Sequence, residues 1–239
     1  METVLADFTA RLKDLFGNDL LSVVLYGSAA RGTYRKGVSD INVLVLLEKS
    51  SPGKIFEMGR AIKPFLHKHR VNPRVMTREE FVSAADVFPL EYSDIQDVHK
   101  VLYGDGEIIK IDLRRAHLRY ELEEKLRGAV GDIRYLLLAS GGSEKTLAKL
   151  LTLWSGICGT IFRGLLRLKG ISDIPTKADA LLERISAEYQ VPLEGFATLE
   201  RFRQGEKTQI FDLAESILEA LKALARAVYQ MPVRSGDTE

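Results

Sequence analysis

The chain contains one cysteine, Cys158, so no intramolecular disulfide can brace it. The apolar neighbours Ile157, Ile161 and Phe162 mark that thiol as an ordinary buried one, in keeping with a reducing cytoplasm. An excess of charge is also missing. The 34 basic and 33 acidic residues give a formal charge of +1, well short of what a polyanion-binding surface needs, so nucleic acid is not indicated as a partner. The longest apolar stretch, residues 147–168, is interrupted by Lys149, Arg163 and Arg167, which would be costly inside a bilayer. No membrane span is expected. Glu2 and Asp7 come early and no long apolar run follows, so the start lacks the make-up of a signal peptide. Neither a repeat of fixed period nor a low-complexity tract occurs. What remains is 239 residues, 46% of them hydrophobic, enough for one large or two modest cores in a soluble, cytoplasmic globular protein.

Apolar spacing divides the chain. Leu5, Phe8, Leu12, Leu15 and Phe16 predict a first amphipathic helix that stops at Gly17-Asn18. Strands follow at residues 20–26, 41–47, 73–76 and 98–103, with a helix through Ile55, Met58, Ile62, Phe65 and Leu66, a short helix over 77–85, and a packed connection over 86–92. Beyond about residue 111 the character changes to long helical patterns: 113–139, 144–169, 177–189, 193–203 and 207–229. In the second of these, Leu147, Leu150, Leu151, Trp154, Ile157, Cys158, Ile161 and Leu165 predict one continuous stripe of a bundle core. The expected organisation is a mixed α/β domain over 1–110, an all-α helical bundle over 111–232, and a flexible tail over 233–239.

The chemistry concentrates in two short stretches. Strand residues 20–26 break at Gly27-Ser28, followed by Ala29-Ala30-Arg31-Gly32, which predicts a turn and a helix start. Glycine there would let backbone approach an anion closely, the Ser28 hydroxyl adds a donor, a helix N-terminus adds partial positive charge, and Arg31 adds a fork of N–H groups. The second stretch, Ser39-Asp40-Ile41-Asn42, opens a buried strand, and alternation puts residues 40 and 42 on one face. Two oxygen ligands beside a Gly-Ser turn are the parts that magnesium-assisted nucleotidyl transfer requires.

The Gly-Ser, Ala-Arg-Gly and Ser-Asp-x-Asn sequence of residues 27–42 resembles the DNA polymerase β-like nucleotidyltransferase superfamily. The order of domains resembles the two-domain arrangement of kanamycin nucleotidyltransferase. The resemblance implies that Gly27, Ser28 and Arg31 hold the triphosphate of an NTP, and that Asp40 holds Mg²⁺ or Mn²⁺ with help from Asn42. It also implies an acceptor hydroxyl on a second substrate. The sequence departs from the family at Asn42, where the second Asp belongs. Asparagine keeps an acceptor oxygen but loses the charge. An ion pair at about 4 Å and an effective dielectric of about 20 is worth roughly 4 kcal/mol, so the exchange is not silent.

A third family carboxylate should lie near Val71 to Thr77, where no acid occurs and Arg74 has the wrong sign. Glu79 and Glu80 come next, but Thr77-x-x-Glu80 reads first as a helix capping box. Arg35 and Lys36 share the loop with Arg31, and basic residues in such loops are commonly just solvated. His67, His69, His99 and His117 lack the spacing of zinc ligands. Gly156, Gly159 and Gly164 read as close helix packing rather than a pocket. Two functions therefore stand open. One is transfer of a nucleoside monophosphate from an NTP to a hydroxyl. The other is a catalytically impaired homologue that binds nucleotide or a partner, whether another protein or a second copy of itself.

Overall fold

The computed structural model describes residues 1–34 and 39–232, in two compact units that divide between Leu113 and Arg114. Arg35 and Lys36, and the expected tail over 233–239, lie outside the described residues.

The first unit runs α1 (Glu2–Phe16), β1 (Leu20–Tyr26), β2 (Ile41–Leu47), α2 (Pro52–Lys68), β3 (Val71–Thr77), α3 (Arg78–Ser83), α4 (Pro89–Asp97) and β4 (His99–Gly104). Its mixed sheet has the order β3-β2-β1-β4. β2 and β3 are parallel, joined through α2, and β1 is antiparallel to both of its neighbours.

β1 and β2 are apolar almost throughout because both faces of the sheet are covered. Val23, Leu25, Val43 and Val45 meet Phe8, Leu12, Met58, Ile62 and Phe65 on one side. Val24, Leu44 and Leu46 meet Phe81, Tyr92, Ile95 and Ile109 on the other. Each such side chain contributes about 1.5–3 kcal/mol on full burial. Helix ends are fixed locally: Ser51 Oγ accepts the Lys54 N–H at 3.3 Å with Pro52 in the first turn, and Thr77 and Glu80 form a reciprocal capping box.

Two local expectations are corrected. Residues 86–92 are not merely a connection, since α4 begins at Pro89, whose missing N–H costs nothing in a first turn, and buries Leu90, Tyr92 and Ile95. No helix follows Gly27-Ser28 either, because residues 27–32 form turns.

The second unit is helical: α5 (Arg115–Ala139), α6 (Glu144–Trp154), α7 (Cys158–Leu168), α8 (Ala178–Tyr189), α9 (Glu194–Arg203) and α10 (Ile210–Tyr229). α5 packs along α10 and against α6 and α7, while α8 packs on α7 and α9 on α10. The single helix expected over 144–169 is broken by a 3-10 turn at Ser155–Ile157, where Ser155-Gly156 has low helix propensity. Leu147, Leu151, Cys158, Ile161 and Leu165 are nonetheless buried. Among the described residues, no helix is long and apolar enough to cross a membrane.

Candidate functional site

The register of the sheet lines up Tyr26 of β1, Asn42 of β2 and Asn72 of β3 in one row. Directly after Tyr26 the chain turns on Gly27, at φ +73°, a conformation that glycine adopts without strain. A Cβ at Gly27 would stand 3.0 Å from Asn42 Nδ2. The Gly-Ser turn and the Asn42 edge therefore share one corner of the sheet.

The turn is compact. The Arg31 N–H donates to the Gly27 carbonyl at 3.1 Å and the Thr33 N–H to the Ser28 carbonyl at 3.0 Å. Among the described residues, the N–H groups of Ser28, Ala29 and Ala30 meet no acceptor. Consecutive amides without protein acceptors can receive an anion, here without the helix N-terminus the sequence suggested.

Asn42 Oδ1 accepts a hydrogen bond from Asn72 Nδ2 at 3.2 Å. Asp40 is not in β2 but precedes it, half-exposed, and its Oδ1 receives Arg70 Nε at 2.9 Å and Nη2 at 2.8 Å. Arg70 has a left-handed backbone, φ +54°, uncommon for a residue with a Cβ, and its carbonyl accepts the Ile41 N–H at 2.9 Å.

Arg31 is buried. Its Nη2 lies 2.7 Å from Asp94 Oδ2, and both side chains are 8% exposed. One helical turn earlier on α4, Glu91 accepts the Tyr26 hydroxyl at 3.0 Å and pairs with Arg74, whose guanidinium covers the Phe88 ring at 4.7 Å. Burial first, and the Glu91 charge second, push the Tyr26 phenol above its ordinary 10.0, so it remains a donor to Glu91 at neutral pH.

The structure thus brings Gly27 against Asn42, holds Asp40 on Arg70, and commits Arg31 to α4. Sequence reasoning missed Arg70, Asn72, Glu91 and Asp94. The i, i+3 spacing of Glu91 and Asp94 was a usable signal once Pro89 is taken as a helix start. Glu80 Oε2 accepts the Thr77 N–H at 2.7 Å and serves as a cap. Five residues along β3, that cap is about 16 Å from Asn72, and the Gly-Ser turn stands two strands further across the sheet, too far for Glu79 or Glu80 to supply the missing carboxylate there.

The acids near the corner, Asp40, Glu91 and Asp94, each face an arginine. Among the described residues, no group of three His, Cys, Asp or Glu could hold a metal ion. Asp40 is the one charged ligand on the edge it shares with Asn42, and the Asn42 oxygen already accepts from Asn72. One carboxylate held by Arg70 and one amide oxygen held by Asn72 make a poor protein donor set for the divalent cation that nucleotidyltransferases generally use.

Residues 5–104 match the sequence model of the nucleotidyltransferase domain. A candidate protein adenylyltransferase of Methanocaldococcus jannaschii is 27% identical over 120 residues, covering 48% of this chain and 80% of that protein. The crystal structure of a spectinomycin adenyltransferase from Enterococcus faecialis, solved with ATP and spectinomycin, superposes with a TM-score of 0.57. That match covers 96% of this chain and 100% of that one at 12% identity, a likeness of fold. The first unit is thus similar to nucleotidyltransferase domains, and the chain is nucleotidyltransferase-like.

Proposed function

We propose that the first unit binds a nucleoside triphosphate on the Gly27-Ser28 turn, beside Asn42, and holds it with little or no transfer. ATP is the first nucleotide to test, since the spectinomycin adenyltransferase of similar fold was solved with it. One observation carries the reading: Asp40 is neutralised by Arg70 where Asn42, itself uncharged, engages Asn72. On this reading the Gly-Ser turn still receives phosphate, while the one carboxylate that would draw a cation to it is engaged by a guanidinium. Gly27 supplies close backbone approach, the amides after it and the Ser28 hydroxyl supply donors, and Arg31 braces the turn against α4 through Asp94.

A second reading is favoured by the relatives, whose names give adenylyl transfer as their activity. On that reading this chain passes a nucleoside monophosphate to a hydroxyl acceptor.

Two assays separate them. Calorimetry with ATP, and pyrophosphate release from all four NTPs with Mg²⁺ or Mn²⁺ and a panel of hydroxyl acceptors, should give binding with no release above the blank. Release that disappears in Asp40→Ala would establish the second reading. Absence of ATP binding together with absence of release would overturn both.

A further inference from the structure

We infer that Arg70 keeps divalent cations off the Asp40–Asn42 edge and leaves that edge selective for uncomplexed phosphate. The inference deepens the nucleotide-binding reading, and its cation part stands without it.

Arg70 places two N–H groups on a single Asp40 oxygen, at 2.9 and 2.8 Å. A cation ligated by Asp40 would have to displace that guanidinium or sit against its charge. A half-exposed ion pair is weak on its own, so exclusion rests on where the positive charge stands, not on the strength of the pair. Its position is fixed by the backbone. Arg70 turns at φ +54°, with its carbonyl tied to the Ile41 N–H, a conformation that asparagine or glycine would enter more readily. A non-glycine residue held there beside a ligand-binding corner is the kind of local strain that accompanies a functional position. Asn42 contributes no compensating charge, and Arg74 of β3 has its own charge matched by Glu91. For a divalent cation the edge offers one neutralised carboxylate. A phosphate that drew Arg70 from Asp40 would meet a guanidinium whose fork matches phosphate oxygens.

The test uses Mn²⁺ with the full chain, followed by electron paramagnetic resonance of free Mn²⁺. Wild type should bind none at this edge. Asn42→Asp, with Arg70 in place, should bind at least about tenfold more weakly than Asn42→Asp combined with Arg70→Gly, because only the second frees both carboxylates of the guanidinium. Glycine suits the left-handed backbone, and Arg70→Asn repeats the comparison should the glycine variant not fold. Equal Mn²⁺ affinity in the single and double variants would overturn the inference. So would no binding in the double variant, or stoichiometric binding by wild type that is lost in Asp40→Asn.

The phosphate part is read by calorimetry with ATP in EDTA and ATP in excess Mg²⁺. Affinity in EDTA should equal or exceed that in Mg²⁺, and a tenfold preference for the magnesium complex would overturn it. Failure of ATP to bind in either form would remove the nucleotide reading and this phosphate arm, while the Mn²⁺ comparison would still decide whether Arg70 excludes cations.

Discussion

The amide nitrogen of Asn42 stands 3.0 Å from the point a Cβ on Gly27 would occupy, so the turn after β1 and the start of β2 are shaped to each other. Gly27→Ala should therefore carry two penalties, a side chain at φ +73° and displacement of the Asn42 carboxamide. Together they should lower stability by about 1–2 kcal/mol. A urea unfolding curve with an unchanged slope and an earlier midpoint checks this. An unaltered midpoint would show that the corner yields to a methyl group without cost.

Arg31 and Asp94 are both 8% exposed, so neither charge can be left alone cheaply. Removing one partner, as in Asp94→Leu, should cost about 3–5 kcal/mol, and adding Arg31→Leu should restore much of it. Denaturant unfolding of the two single variants and the double variant makes the comparison. Additive losses would mean that the pair does not hold the turn to α4.

Alkaline stability follows from burial. Burial, with the Glu200 charge second, pushes the Cys158 thiol from its ordinary 9.0 up to about 12. A group whose folded value is raised contributes stability that is whole below the unfolded value and lost as pH climbs toward the folded one. Stability should thus fall between about pH 9 and pH 12, with Tyr26 and Tyr189, both raised above 10.0 chiefly by burial, adding to the fall above pH 10. Thermal melts at stepped pH test the sign. At pH 8 a thiol reagent should modify Cys158 only as fast as the helical unit opens.

Gly195 and Gly156 should respond oppositely to alanine. A Cβ at Gly195 would lie 2.6 Å from Ser216 Oγ and 3.0 Å from the Ile217 nitrogen, where α9 meets α10. Gly195→Ala should destabilise by about 1–3 kcal/mol. Gly156 has nothing within 4 Å of that point, so Gly156→Ala should be neutral or stabilising by up to about 1 kcal/mol. Paired thermal melts distinguish them.

The strands at Leu20–Tyr26 and Ile41–Leu47 could be read from the chain because their apolar runs need cover on both faces, and the capping box at Thr77 because its chemistry is local. α4 was hidden by Pro89, which breaks a helix pattern from within but starts one from its first turn. The partners of the site residues were hidden for another reason. Asp40 meets Arg70 and Asn42 meets Asn72 across 30 residues, through a parallel crossover whose register no local pattern fixes. Arg31 read as a phosphate ligand because its fork of N–H groups follows the Gly-Ser turn, and only the fold shows it paired with Asp94. The stripe over 144–169 could be seen, but not its interruption at Ser155-Gly156, because the buried positions on either side keep helical spacing.

A calorimetric titration of ATP into wild type and Gly27→Ala, both shown folded by circular dichroism, decides whether the Gly27-Ser28 turn beside Asn42 is a nucleotide site. Saturable one-site binding by wild type, weakened at least about tenfold in the variant, is the expected result. Equal affinity in the two proteins, or no heat of binding in wild type, would contradict it.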